Sequence, residues 1–402
     1  MIKNKLIITL ISILMISSLL SCSPNNDAPI VISGDEFDSG NIEEIIPTQE
    51  EVPIINNELF SDYYDKAEQI LNEMTLEEKV GQMFLAAYPE SISKAKEEIK
   101  TLYPGGYILF ARETKNDNPE SLKKKIEDTQ IESNIKMLIA VDEEGGTVTR
   151  VSTYKAYRNS KFEAPLKIYQ NNGMDSIISD SHEKSILLEE LGINMNLAPV
   201  VDIPTSKNSF MYARSMGTDS ELTSEFASKI VTKMNEDNMI SCLKHFPGYG
   251  DNVDTHTGIA TDERSYDEFI NNDFKPFIAG IEAQGPAIMI NHNVVNCMDE
   301  KYPASLSPEV HRVLREELNY TGLIVTDDLA MQAVKAYVDN GEAAVQAVLA
   351  GNDMIITSSL SKHVNEVLNA VKDEIIDMKT VDMAVKRILA CKLRYNIISE
   401  WK

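Results

Sequence analysis

Eight short apolar runs punctuate residues 82–357, and their spacing constrains the fold more than any other feature of the chain. They are Gln82–Tyr88, Gly106–Ala111, Met137–Asp142, Asn194–Asp202, Met239–His245, Ala287–His292, Leu323–Asp327 and Met354–Thr357. Most are rich in Val or Ile, as strands buried on both faces should be. Amphipathic stretches with helical spacing lie between them: Ser121–Asn134, Asp175–Leu191, Ser220–Asn235, Tyr266–Ala283 and Pro308–Leu318. This alternation predicts an α/β fold, a single (β/α)8 TIM-type barrel. A doubly wound open sheet is the alternative, because counting strands does not show closure.

Polar chemistry gathers where the runs end. Asp142, Asp202, Lys244-His245, Asn291-His292 and Asp327-Asp328 each follow or finish an apolar segment. A charge placed there costs desolvation unless it is paired or used. In a barrel these ends converge on one rim, where catalytic groups sit. Five strands ending this way predict a site.

Two other features bound the function. The formal charge is −25, which excludes a protein built around the phosphate backbone of nucleic acid. Lys3 and Lys5 precede the apolar run Leu6–Leu20, which closes in Ser21-Cys22. That pattern reads as a secretory signal over residues 1–21, with Cys22 as the lipidated cysteine of a bacterial lipoprotein. The expected location is extracytoplasmic, with the chain anchored to the cell membrane through lipid. Residues 23–60 carry nine acids and no Lys or Arg, so residues 22–60 are expected to form a solvated tether. The catalytic unit is then 61–402. The remaining cysteines, Cys242, Cys297 and Cys391, lie in no metal-ligand spacing and are expected to be buried free thiols.

Three segments carry a specific resemblance. They are Val141-Asp142-Glu143-Glu144-Gly145-Gly146-Thr147-Val148-Thr149-Arg150, Lys244-His245-Phe246-Pro247-Gly248-Tyr249-Gly250-Asp251 with Asp254-Thr255-His256, and Val325-Thr326-Asp327-Asp328-Leu329-Ala330-Met331. In order and combination they resemble glycoside hydrolase family 3, and within it the NagZ-like β-N-acetylglucosaminidases. The supporting segments include Gly106–Arg112, Ala198–Asp202, Arg214-Ser215 and Pro303–Ser307, and the likeness runs from Met74-Thr75-Leu76-Glu77-Glu78-Lys79 to the last helix, over the whole expected catalytic unit.

The resemblance implies a retaining exo-β-N-acetylglucosaminidase acting on peptidoglycan fragments or chitooligosaccharides. It needs no cofactor and no metal, and implies no obligate protein partner. Asp327 is implied as the nucleophile, since a carboxylate can attack the anomeric carbon and form a glycosyl-enzyme. His256 is implied as the general acid/base. Asp254, two positions earlier, would share a face with it in extended chain and could orient the imidazole. Asp142, Arg150, Arg214, Lys244 and His245 are implied to hold sugar hydroxyls. Arg150 has a structural ion pair as its alternative, and His292 has no assigned role.

Two positions depart from the family pattern. Thr147 stands where an Arg is usual, and Tyr249 where a His is frequent. The second α/β domain of many relatives does not follow the barrel, so a one-domain enzyme is expected. A β-glucosidase or β-xylosidase of the same family, and a non-catalytic sugar-binding lipoprotein, remain alternatives.

Overall fold

Each of the eight apolar runs contributes one strand to a single parallel sheet. The strands are β1 (Phe84–Ala87), β2 (Gly106–Leu109), β3 (Leu138–Val141), β4 (Met195–Asn196), β5 (Ile240–Phe246), β7 (Ala287–Ile290), β9 (Leu323–Thr326) and β10 (Ile355–Thr357). Their order around the sheet is β10-β1-β2-β3-β4-β5-β7-β9. A parallel bridge from Val325 to Met354 joins the last strand to the first, so the sheet closes into a (β/α)8 barrel. Closure excludes the open-sheet alternative. The structure is a computed structural model that describes residues 58–399 apart from 116, 254–257, 259, 332–333 and 335–341. The expected signal, Cys22 and the tether as far as residue 57 lie outside the described residues; of the last three tether residues, Phe60 is buried in the core and the Leu59 amide donates to Thr321 Oγ1 at 2.9 Å.

The strands read as unbroken apolar runs because both of their faces are covered. All their residues except Ala87 are buried, half against the barrel interior and half against the surrounding helices. Truncating one such side chain, Ile139→Ala for example, costs roughly 2–5 kcal/mol through lost burial and the cavity left behind. The helices begin where their caps dictate. Thr75 and Glu78 form a capping box ahead of Leu76–Gln82, and Asn118 accepts from the Ser121 amide ahead of Pro119–Glu132. The helix Tyr64–Glu73 packs on the last one, Met378–Arg394. Among the described residues no helix is long and apolar enough to cross a membrane.

The structure adds detail that periodicity does not carry. The stretch Tyr266–Glu282 contains a π turn at Phe269–Asp273, and a second π turn occupies Val313–Glu317. A small parallel pair, β6 (Thr261–Asp262) with β8 (Val294–Val295), stands apart from the barrel sheet. Two-residue strands are too short to show alternation. One expectation is corrected: Cys242 and Cys391 are buried thiols, but Cys297 is exposed, because it sits in the turn after β8 rather than on a packed face.

Candidate active site

The C-terminal ends of the strands surround a pocket of about 810 Å³. Lys244, near the end of β5, is buried beside it and donates to Asp142 Oδ1 and to Glu144 Oε1, both at 2.7 Å. Arg214 forks onto the same Glu144, Nε to Oε2 at 2.9 Å and Nη2 to Oε1 at 2.7 Å. Burial alone would push the Glu144 carboxyl up. The Lys244 ammonium and Arg214 guanidinium outweigh it and hold the group down at about 2. The same logic acts in reverse on Lys244, where burial favours the neutral amine but Asp142 and Glu144 hold the proton on. Glu144, Lys244 and Arg214 are therefore held in their charged forms, with donors and acceptors fixed in place before any ligand arrives.

Two consecutive residues, Lys244 and His245, both line this pocket although side chains on a regular strand alternate. The β5–β7 register shifts between Lys244 and Phe246, and such an irregularity re-aims one side chain. Asp202 then fixes His245 twice, accepting from its backbone amide at 3.0 Å and meeting Nδ1 at 2.7 Å. Since the carboxylate accepts, Nδ1 carries the hydrogen and Nε2 is turned toward Arg214, 3.4 Å from its Nη2. The second oxygen of Asp202 accepts from the Tyr249 amide at 2.8 Å. Tyr249 packs edge-on against His245 and Phe210.

Across the pocket, β9 delivers Asp327, whose amide donates to the Ile290 carbonyl at 3.0 Å. Asp328 turns into its own loop. Its Oδ1 accepts from the Ala330 amide and its Oδ2 from the Ser358 hydroxyl, so its carboxylate is engaged even though it borders the pocket. His292 is buried beneath, with Nε2 donating to the Asp328 carbonyl at 3.1 Å and Nδ1 facing the Ser305 hydroxyl at 2.6 Å. Its visible role is to support the Asp327-Asp328 turn.

The loop after β3 is organised by a buried carboxylate. Glu143 accepts from the amides of Arg150, Val151 and Ser152 and from the Ser152 hydroxyl. This brings Arg150 back over the pocket, its Nη2 3.8 Å from Asp142 Oδ2. Asp142, Arg150, Arg214, Lys244, His245 and Asp327 thus line one pocket. Asp254 and His256 lie outside the described residues. Thr147 is exposed. Glu144 and Asp202 are two site carboxylates to which the sequence alone gives no role. Glu144 had a signal in its place two residues after Asp142, and Asp202 in ending an apolar run. Among the described residues, no group of three His, Cys, Asp or Glu side chains is arranged to hold a metal.

Comparison with known proteins agrees with this geometry. Residues 75–391 match the model of the glycosyl hydrolase family 3 N-terminal domain. A β-hexosaminidase from Methylobacillus flagellatus is 30% identical over 280 residues, covering 67% of this chain and 78% of that protein. An uncharacterized secreted glycosyl hydrolase from Arthroderma benhamiae is 29% identical over 347 residues, 79% of this chain and 93% of its own length. The solved family 3 β-N-acetylglucosaminidase from Paenibacillus sp. str. FPU-7 superposes with a TM-score of 0.75 at 30% identity. That match covers 82% of this chain but 64% of the solved one, so the chain spans less than two thirds of that relative's length.

Proposed function

The chain belongs to glycosyl hydrolase family 3 and is a glycoside hydrolase; from that premise we propose that it is an exo-acting, retaining β-N-acetylglucosaminidase. Its proposed substrates are GlcNAc-terminated peptidoglycan fragments or chitooligosaccharides. The observation that carries the reading is the meeting of Asp327 with the Asp142–Lys244–Glu144–Arg214 cluster and His245 in one pocket at the strand ends. The β-hexosaminidase and β-N-acetylglucosaminidase relatives support the choice of sugar.

In this reading the charged cluster grips the sugar hydroxyls, and its bonds strengthen as charge develops at the ring. Asp327 attacks the anomeric carbon while His256 gives its proton to the departing oxygen. The C–O bond to the leaving group breaks as the bond to Asp327 forms. Neutral His256 then takes a proton from water, which cleaves the glycosyl-Asp327 ester and restores both groups. Asp254 orients the imidazole. The lysine-flanked apolar run ending at Cys22 supports a lipid-anchored, extracytoplasmic location.

Turnover of 4-nitrophenyl β-GlcNAc, set beside the matching β-glucoside and β-xyloside, tests the reading. It expects strong preference for the GlcNAc substrate, and Asp327→Ala is expected to lower kcat by ~10⁴-fold or more. Preference for the glucoside or xyloside would replace the sugar assignment. Unchanged turnover in Asp327→Ala would remove the nucleophile.

A further inference from the structure

The chain between β5 and β6 has an outgoing stem that borders the pocket at Tyr249 and a returning stem at Asp262, and both stems are fastened to one guanidinium. Arg264 donates through Nη2 to the Gly248 carbonyl at 3.0 Å, on the outgoing stem. Through Nε and Nη2 it also grips Asp262, at 3.0 and 2.8 Å to separate oxygens, on the returning stem. Its Nη1 reaches both oxygens of Asp273, at 3.0 and 2.9 Å, in the helical stretch behind. The guanidinium also lies 4.3 Å from the centroid of the Phe269 ring. Asp262 and Asp273 are each 1% exposed, so one cation joins two buried carboxylates and a carbonyl.

The stems are shaped for this arrangement. Gly248 has φ +126, and a Cβ there would stand 2.3 Å from Asp273 Oδ1. Gly250 has φ +55, and a Cβ there would meet the Arg264 guanidinium carbon at 2.8 Å. Asn252 adds a direct link between the stems, donating to Asp262 Oδ2 at 2.6 Å. The Thr205 amide and hydroxyl hold Asp251, and Asp202 holds the Tyr249 amide. On the return side, Asp262 pairs with Val295 through the β6–β8 ladder. Asp254 and His256 lie between these stems in sequence, and holding two ends of a chain lowers the entropic cost of placing what lies between them. Such fixation matters because a misplacement of about 1 Å can cost ~10²-fold in rate.

We propose that Arg264 is a positioning residue for the reaction: its clasp on Gly248, Asp262 and Asp273 fixes the two stems that flank Asp254 and His256 in the sequence. The proposal rests on the reading of His256 as the general acid. Arg264→Lys keeps the charge and loses the fork, so it cannot join all three partners. For chitobiose, a poor leaving group, kcat/KM is expected to fall ~30–100-fold, against less than about threefold for 2,4-dinitrophenyl β-GlcNAc, whose departure needs little acid assistance. Asn252→Ala cuts the stem-to-stem bond but leaves the guanidinium and its carboxylates paired. It should show the same selectivity at ~3–10-fold, and it decides the matter if Arg264→Lys fails to fold.

A double-mutant cycle separates positioning from general damage. In a His256→Ala background, either change should add less than about twofold on chitobiose, because the group being positioned is already gone. Multiplying penalties would overturn the proposal. So would equal losses on both substrates in Arg264→Lys and Asn252→Ala while His256→Ala remains selective for the poor leaving group. Equal losses on both substrates in His256→Ala itself would instead fell the acid reading, and the positioning role with it.

Discussion

Lys244 and Lys392 are both buried lysines, at opposite ends of the barrel, and their environments push them in opposite directions. Lys244, at the C-terminal end of β5, is 2% exposed and held between two carboxylates, which keep its proton on. Lys392, on the last helix, is 0% exposed and donates to the neutral amide oxygen of Gln82 at 2.7 Å, just before β1. Burial there pulls its pKa down to about 7. Desolvation is common to both; the charge of the partner decides the outcome. At the C-terminal end of its strands the barrel keeps paired charges bordering the pocket. At the other end it buries a base whose hydrogen-bond partner is a neutral amide.

Replacing each lysine by Met tests the contrast. Lys244→Met should lower kcat/KM by ~10³-fold, about 4 kcal/mol, because Asp142 and Glu144 lose their shared cation. It should also destabilise the fold by roughly 3–5 kcal/mol, read by denaturant unfolding, since buried carboxylates are left less well paired. A functional, stable Lys244→Met would mean that Asp142 and Glu144 do not depend on this ammonium.

Lys392→Met should leave kcat/KM unchanged and act on stability alone. The folded pKa of about 7 lies below the ordinary 10.5, so the native state is penalised when the amine is charged. The penalty is complete below about pH 7 and fades as pH rises toward 10.5. The variant should therefore be more stable than the parent by on the order of a few kcal/mol at pH 6, less about 1 kcal/mol for the stranded Gln82 oxygen. That advantage should vanish near pH 10. A constant difference across this range would mean that Lys392 does not titrate as its burial demands.

Glu144→Gln sharpens the rim side of the contrast. It should reduce kcat/KM by ~10–100-fold, as Lys244 and Arg214 lose a common counter-charge. The depressed Glu144 pKa of about 2 stabilises the fold above the ordinary value of 4.5, and that contribution drains away as pH falls toward 2. Parent and variant should thus converge in stability on acidification, measured by urea unfolding at successive pH values. The smallest effect expected is that of Ser358→Ala, which removes one hydroxyl from Asp328 Oδ2 and should change kcat/KM by no more than about threefold.

The barrel was legible because burial on both faces writes itself as continuous apolar runs, and all eight runs carry a barrel strand. The β6–β8 pair was not, since Thr261-Asp262 and Val294-Val295 are too short to display a period. The pocket was legible where a charge ends a strand, as at Asp142, Lys244 and Asp327. It was less so for Glu144 and Asp202, which act through their partners: one gathers Lys244 and Arg214, the other fixes His245. Such roles depend on groups tens of residues away. Arg264 was invisible for the same reason, as its function is to join Gly248, Asp262 and Asp273 across a loop.

Asp327 is proposed to act on β-linked GlcNAc by a retaining displacement. Proton NMR of 4-nitrophenyl β-GlcNAc, followed from the first turnovers before mutarotation, tests it most directly. Two inversions through a glycosyl-enzyme predict that free β-GlcNAc appears first and the α-anomer grows in later. First appearance of the α-anomer would mean a single displacement by water and would rule out a glycosyl-Asp327 intermediate.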